Sequence, residues 1–194
     1  AGYVDLVRRS QAAVISIAAG VGMRSFESWF GADTPIVRVM PNTPAAVGAG
    51  MSLLLRNEAV SDETAALSEI MLNAVGKSIW VQTEAQIDAL VGVTGSGPAY
   101  VFLLTECIAA AIEKTGLTPE QAKLAARQTV LGSALLGSEN SDVDPAELRR
   151  RVTSPGGVTQ AALDVLMAPE RGLPDLFAEA MEAGEKRNAE LSGD

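Results

Sequence analysis

Apolar residues change their period near the middle of this chain. Up to about Val81 they come in short runs: Val14-Ile15-Ser16-Ile17-Ala18-Ala19 ahead of Gly20, Pro35 to Met40 ahead of Pro41-Asn42-Thr43-Pro44, Met51 to Leu55, and Ser78 to Val81. Runs rich in β-branched residues and stopped by glycine or proline predict buried strands. Between them, Met23 to Phe30 has helical spacing, and so has about Asp62 to Ala74, opened by Ser61 and ended by Gly76. Strands that alternate with helices predict an α/β layer with a mainly parallel sheet. Val4 to Ser10 reads as the end of a helix, and the chain starts at Ala1, so the expectation is a protein that lacks its beginning.

From Thr83 onward the strands disappear. Glu84 to Val91 is helical, Gly92-Val93-Thr94-Gly95-Ser96-Gly97 breaks the pattern, and Pro98 sits in the first turn of a long helix to Lys114. Thr118-Pro119-Glu120-Gln121 supplies an N-cap, a first-turn proline and a capping-box glutamine for a helix to about Leu136. Asp144-Pro145-Ala146-Glu147 repeats the device, and Gln160 to Met167 and Pro174 to about Leu191 complete five or six helices. The expected organisation is therefore α/β over residues 1–83 followed by an all-α domain over 84–194. Phe102, Leu103, Cys107, Ile108 and Ile112, with Leu124, Val130, Leu131, Leu135 and Leu136, are many apolar residues for so short a bundle to cover. A homodimer that shares the core is the natural remedy, and a compact monomeric core is the alternative.

Composition narrows the chemistry. A net charge of −9, with Arg149-Arg150-Arg151 the only basic cluster, argues against a nucleic-acid surface. No charge-free apolar run appears long enough to span a bilayer, and residues 1 to 20 lack the order of a secretory signal, so a cytoplasmic protein with no membrane partner is expected. With no histidine and a single cysteine, Cys107, histidine triads and thiolate or histidine metal sites are excluded and no metal is expected. Any catalysis then rests on a cofactor, on carboxylates, or on positioning.

The stretch best suited to chemistry is Val152-Thr153-Ser154-Pro155-Gly156-Gly157-Val158-Thr159, directly ahead of a helix. Unpaired N–H groups at a helix start favour a carboxylate or phosphate, and a Gly-Gly turn can aim further N–H groups at the same point. The plainer reading makes Gly-Gly a turn and Thr159 an N-cap. Gly20-Val21-Gly22-Met23-Arg24-Ser25 imitates a dinucleotide fingerprint, but Ser25 replaces the third glycine and no acid ends the next strand. Met40-Pro41-Asn42-Thr43-Pro44 lies where a strand ends, at the edge where open α/β sheets bind ligands. Glu84, in a helical first turn, suits either a cationic ligand nitrogen or the helix dipole.

Four segments then occur in order at suitable separations: Ile17-Ala18-Ala19-Gly20, Val37 to Pro44, Asp88-Ala89-Leu90 with Thr94-Gly95-Ser96-Gly97-Pro98-Ala99-Tyr100, and Val152 to Thr159. The combination closely resembles the pyrroline-5-carboxylate reductase family over essentially the whole chain. The resemblance implies part of a Rossmann-type dinucleotide-binding domain followed by a helical dimerisation domain, a homodimer with scope for higher assembly, and hydride transfer from NADPH or NADH to 1-pyrroline-5-carboxylate, giving proline. It also implies that the glycine loop holds the substrate carboxylate through Ser154, Gly156 and the N–H groups of Gly157 and Val158. Thr159 would bond the ring nitrogen as the catalytic group, with Glu84 near the same ligand. Ile17, Ala18, Ala19 and Asn42 would line the nicotinamide. A protonated imine is already electrophilic, so a protein without histidine can carry out this step by alignment.

Some features depart from the family pattern. The opening strand and glycine-rich phosphate loop of the family, roughly eighty residues, have no counterpart here, so the isolated chain is expected to bind little cofactor. Arg151 stands where some relatives carry asparagine, and Val158 where alanine or threonine is commoner. A second reading makes the chain a non-catalytic dimerisation fragment that pairs with intact subunits. A third, a related reductase acting on a hydroxy acid, wants a crevice lysine that Lys77, Lys114 and Lys123 do not supply.

Overall fold

The computed structural model describes residues 2–192. Two compact units make up the chain: one runs to Pro98 and takes in the final segment from Ala183, and the other is Ala99–Glu182. The sequence placed the change at 83/84, where the strands cease; the compact units divide at Pro98.

In the first unit, β1 (Val14–Ser16), β2 (Ile36–Pro41), β3 (Gly50–Arg56) and β4 (Gly76–Trp80) form one sheet in the order β1-β2-β3-β4. β1 pairs with β2 and β3 with β4 in parallel, as a mainly parallel sheet requires. β2 and β3 run antiparallel, with Val39 opposite Leu54. Only a 3₁₀ turn, Thr43–Val47, separates these two strands, and a parallel return needs a crossover of a dozen residues or more. β1 is shorter than its apolar run: Ile17, Ala18 and Ala19 leave the sheet and are exposed.

Alternation along β2 and β3 sends side chains to two faces. Ile36, Leu53 and Leu55 pack with Met23 and Phe26 of α2 (Met23–Phe30) and Ile87 of α4 (Glu84–Leu90). Val37, Val39 and Leu54 pack with Val60 and with Ala65 of α3 (Asp62–Asn73) on the other. Ser61 caps α3 by accepting from the Thr64 N–H at 3.2 Å. Buried Asn57 ties off the start of β2, accepting from Ile36 N at 3.0 Å and donating to Thr34 O at 2.9 Å. β3 and β4 begin at a Gly50–Gly76 pair where a Cβ on Gly76 would lie 2.0 Å from Gly50 O. Only glycine lets the two backbones approach so closely. α1 (Gly2–Ser10) precedes the sheet.

The predicted break at Gly92–Gly97 is instead a π-helical turn, Val91–Gly95, so α4 runs almost without interruption into α5 (Gly97–Glu113). Glycine and proline here loosen the helix without ending it. The joined helix Glu84–Glu113 is, by length and composition alone, long and apolar enough to cross a membrane, although Asp88 and Glu106 interrupt its apolar run.

In the second unit, α5 is followed by α6 (Pro119–Glu139), α7 (Pro145–Arg151), α8 (Val158–Leu166) and the first half of α9 (Leu173–Ser192), whose residues from Ala183 on fall in the first unit. The capping box of α6 forms as predicted: Gln121 N donates to Thr118 Oγ1 at 3.3 Å, and Thr118 N to Gln121 Oε1 at 3.0 Å. Asp144 caps α7 by accepting from Ala146 N at 2.7 Å. Among the described residues of this unit the buried apolar side chains are all small: Ala109, Ala122 and Ala126. Phe102 is 63% exposed and Leu131 53%. Tyr100 and Phe177 stack edge to face, with centroids 6.1 Å apart.

Candidate functional site

Within the second unit, the glycine loop is a single turn. Ser154, Pro155, Gly156 and Gly157 take its four places, closed by the Gly157 N–H donating to Ser154 O at 3.0 Å. Proline at the second place and glycine at the third, with Gly156 at φ +69°, satisfy a type II turn. Gly157 is extended at φ −82°, ψ 176°, and is the N-cap of α8. A Cβ on Gly157 would meet Ser154 Oγ at 2.3 Å and Ser154 O at 3.1 Å. The Ser154 hydroxyl therefore lies folded over the helix start. Gly157 has no side chain with which to cap, and the first N–H of α8 paired back to the loop is that of Ala161, to Gly157 O at 3.1 Å. Val158 and Thr159 thus present first-turn N–H groups and exposed side chains.

Thr159 is not the N-cap that the sequence suggested. The helix starts one residue before it, because Gly157 supplies the extended backbone of a cap and Val158 is already helical. Its side chain is therefore not a cap, and it is exposed in the first turn of α8. Ahead of the turn, Arg150 and Arg151 both donate to Glu147, from their Nε atoms at 2.9 and 3.1 Å, which holds the Glu147 carboxyl below its ordinary range. Two of the three clustered arginine charges are therefore spent inside α7.

The first unit brings together the other predicted residues. β1 and β2 are parallel, so Ile17-Ala18-Ala19 and Asn42 all follow carboxyl ends of strands at one sheet edge. Ile17 is 65% exposed. Asn42 is tied on both sides: Oδ1 accepts from Met51 N at 2.9 Å, and Nδ2 donates to Thr94 O at 2.9 Å. One amide hydrogen remains for a ligand.

Glu84 is more committed than the sequence implied. Its Oε1 accepts the Met23 N–H at 2.5 Å, the first N–H of α2, and its Oε2 pairs with Arg38. Both oxygens have internal partners, so the charge of the carboxylate is met within the chain, while the side chain stays partly exposed. The pairing also explains why the Gly20-Val21-Gly22 segment only imitates a phosphate loop: the helix start behind it already holds an anion. Arg38 is a residue that sequence reasoning passed over. It shares the inward parity of Ile36 and Met40, and burial lowers its pKa against the pull of Asp88, one turn along α4. An arginine at a core position of a β-branched run must find a carboxylate, and that was the available signal.

Comparisons with known proteins bear on the family and the fold. A family model described as pyrroline-5-carboxylate reductase dimerisation matches residues 84–191. The pyrroline-5-carboxylate reductase of Pseudomonas aeruginosa is 46% identical over 179 residues, which cover 92% of this chain and 64% of the relative. The chain thus spans about two thirds of the length of such relatives. A solved pyrroline-5-carboxylate reductase from Coxiella burnetii superposes with a TM-score of 0.91 at 42% identity, over 98% of this chain and 69% of that one. The Plasmodium falciparum pyrroline carboxylate reductase, solved with NADP bound, gives a TM-score of 0.80 at 28% identity, over 98% of this chain and 76% of that one. By its dimerisation region, its ordered motifs and its fold, this chain belongs to the pyrroline-5-carboxylate reductase family.

Proposed function

We propose that the protein containing this chain reduces 1-pyrroline-5-carboxylate to proline with NADPH or NADH, and that it works as a homodimer. The observation that carries this reading is the turn ahead of α8. It offers a hydroxyl at Ser154, N–H groups at Val158 and Thr159, and the positive end of a helix, all without a lysine or histidine, while the Gly157 N–H stays within the turn on Ser154 O. That set suits a carboxylate on a small ring, since neutral donors fix its direction and the helix dipole its charge. Gly156 shapes the turn and Thr159 faces the ring nitrogen.

The sheet edge fits a nicotinamide ring. Exposed Ile17, Ala18 and Ala19 offer a low apolar surface, and Asn42 an amide hydrogen at its rim. When bound, the reduced cofactor supplies the hydride. The chain's part is to hold the carboxylate, direct the imine carbon, and have the Thr159 hydroxyl bond the nitrogen as it turns from iminium to amine. Glu84 is given no substrate contact here, because its oxygens serve Met23 and Arg38.

The test is an assay of pyrroline-5-carboxylate reduction by the longest natural polypeptide containing this sequence. We expect turnover with a nicotinamide cofactor, and Thr159→Ala should lower kcat on the order of tenfold to a hundredfold while the fold persists. Absence of turnover in the unchanged protein would overturn the function. Unchanged kcat in the variant would overturn the role of Thr159.

A further inference from the structure

Arg38 is the one buried charged residue among those described, at 6% exposure. Its guanidinium keeps its proton at any ordinary pH, so its place in the core depends on a carboxylate. Glu84 provides one, and the same carboxylate takes the first N–H of α2. One side chain thereby joins three elements: β2 through Arg38, α2 through Met23, and α4, of which it is the first residue. Between β1 and α2 runs the segment Ile17–Gly22, whose residues 17–20 are exposed. Its far end is set where Met23 meets Glu84. Gly22 lies so near that an added Cβ would sit 3.7 Å from Glu84 Oε1.

We infer that Glu84, with Arg38 behind it, is a positioning residue for the nicotinamide end of the site, an internal anion that sets the start of α2 and through it the Ile17–Gly22 turn. This rests on the proposed function, in which Ile17, Ala18 and Ala19 carry the nicotinamide. The inference differs from a substrate-binding role for Glu84 in what it predicts. Loss of the charge should weaken the cofactor and leave the ring acid alone, because the acid is held by the turn ahead of α8.

The experiment is steady-state kinetics on the longest natural polypeptide containing this sequence, with amide hydrogen exchange read alongside. Glu84→Gln should raise the KM for the nicotinamide cofactor about tenfold, the worth of a charge-assisted hydrogen bond, and leave the KM for pyrroline-5-carboxylate within about twofold. Arg38→Lys keeps the cation and should raise the cofactor KM less than about threefold. Exchange of the Met23 amide should quicken in Glu84→Gln while that of β3 stays as it was. Should Glu84→Gln fail to fold, Glu84→Asp, which keeps the charge but falls short of Met23, carries the same expectations. An unchanged cofactor KM, or a pyrroline-5-carboxylate KM that rises as much, overturns the inference. A lack of turnover in the unchanged protein overturns the proposed function instead, and the Met23 exchange then decides whether Glu84 holds the helix start.

Discussion

Gly156 and Gly157 stand side by side but have different physical reasons to be glycine. Gly156 has open space around it and a φ of +69°, a conformation that costs an L residue about 1–2 kcal/mol. Gly157 has a backbone that any residue adopts, and the Ser154 hydroxyl fills the space a Cβ would need. In Gly157→Ala the serine must leave its rotamer, at a cost on the order of 1 kcal/mol, and the donor set is disturbed rather than the fold. The expected result is a KM for pyrroline-5-carboxylate raised about tenfold with the thermal midpoint nearly unmoved. An unchanged KM would show that Ser154 does not serve the carboxylate. At this scale the sequence was informative about the turn and silent about the clamp. Pro155-Gly156-Gly157 announces its geometry locally, whereas the partners of Glu84 lie on elements 46 and 61 positions away, Arg38 and Met23, and no local pattern joins them.

At the scale of elements, boundaries that depend on side chains close in sequence were legible. Ser61, Thr118-Gln121 and Asp144 each mark a helix start that the structure bears out, because a cap and its N–H lie within three residues. Boundaries that depend on the backbone were not. The Gly92–Gly97 segment continues as a π turn, and the 3₁₀ turn at Thr43–Val47 makes β2 and β3 antiparallel; neither leaves an apolar period to read. α7 gives a pH prediction. Its Glu147 bonds Arg150 and Arg151, which lowers its pKa below the ordinary 4.5. A depressed folded value means that the stabilisation is present above the unfolded pKa and is lost as pH falls through the folded one. The Glu147 carboxyl resonance should therefore titrate below that value, and Arg150→Gln with Arg151→Gln should move it back up. A midpoint at the ordinary value in the unchanged protein would show that the two bonds do not persist in solution.

Over the whole molecule, the two units differ in what they bury. The first has a two-sided core of Ile36, Val37, Val39, Leu53 and Leu54, each at most 1% exposed. The second, by itself, buries alanines while Phe102, Leu103, Leu124, Leu131, Leu135 and Leu136 are all about half exposed or more. Fully burying a side chain of this size is worth about 1.5–3 kcal/mol, so leaving six of them wet forgoes roughly as much as a domain's net stability. A second copy of the chain supplies the missing cover in the proposed homodimer. A bilayer would be the other cover for Glu84–Glu113, but the apolar residues extend onto α6, where Arg127 and Lys123 lie among them. If the copies complete one another's cores, folding and association are one equilibrium, and the thermal midpoint must rise with protein concentration. Between about 1 and 100 µM a shift of several degrees is expected, since a hundredfold change in concentration adds about 2.7 kcal/mol to a dimer of which only the folded form associates. Leu131→Glu should lower the midpoint and give a monomer in sedimentation velocity. A midpoint independent of concentration, with Leu131→Glu still sedimenting as the unchanged protein does, would mean that the helical unit is stable without a second copy and that its apolar faces serve some other partner.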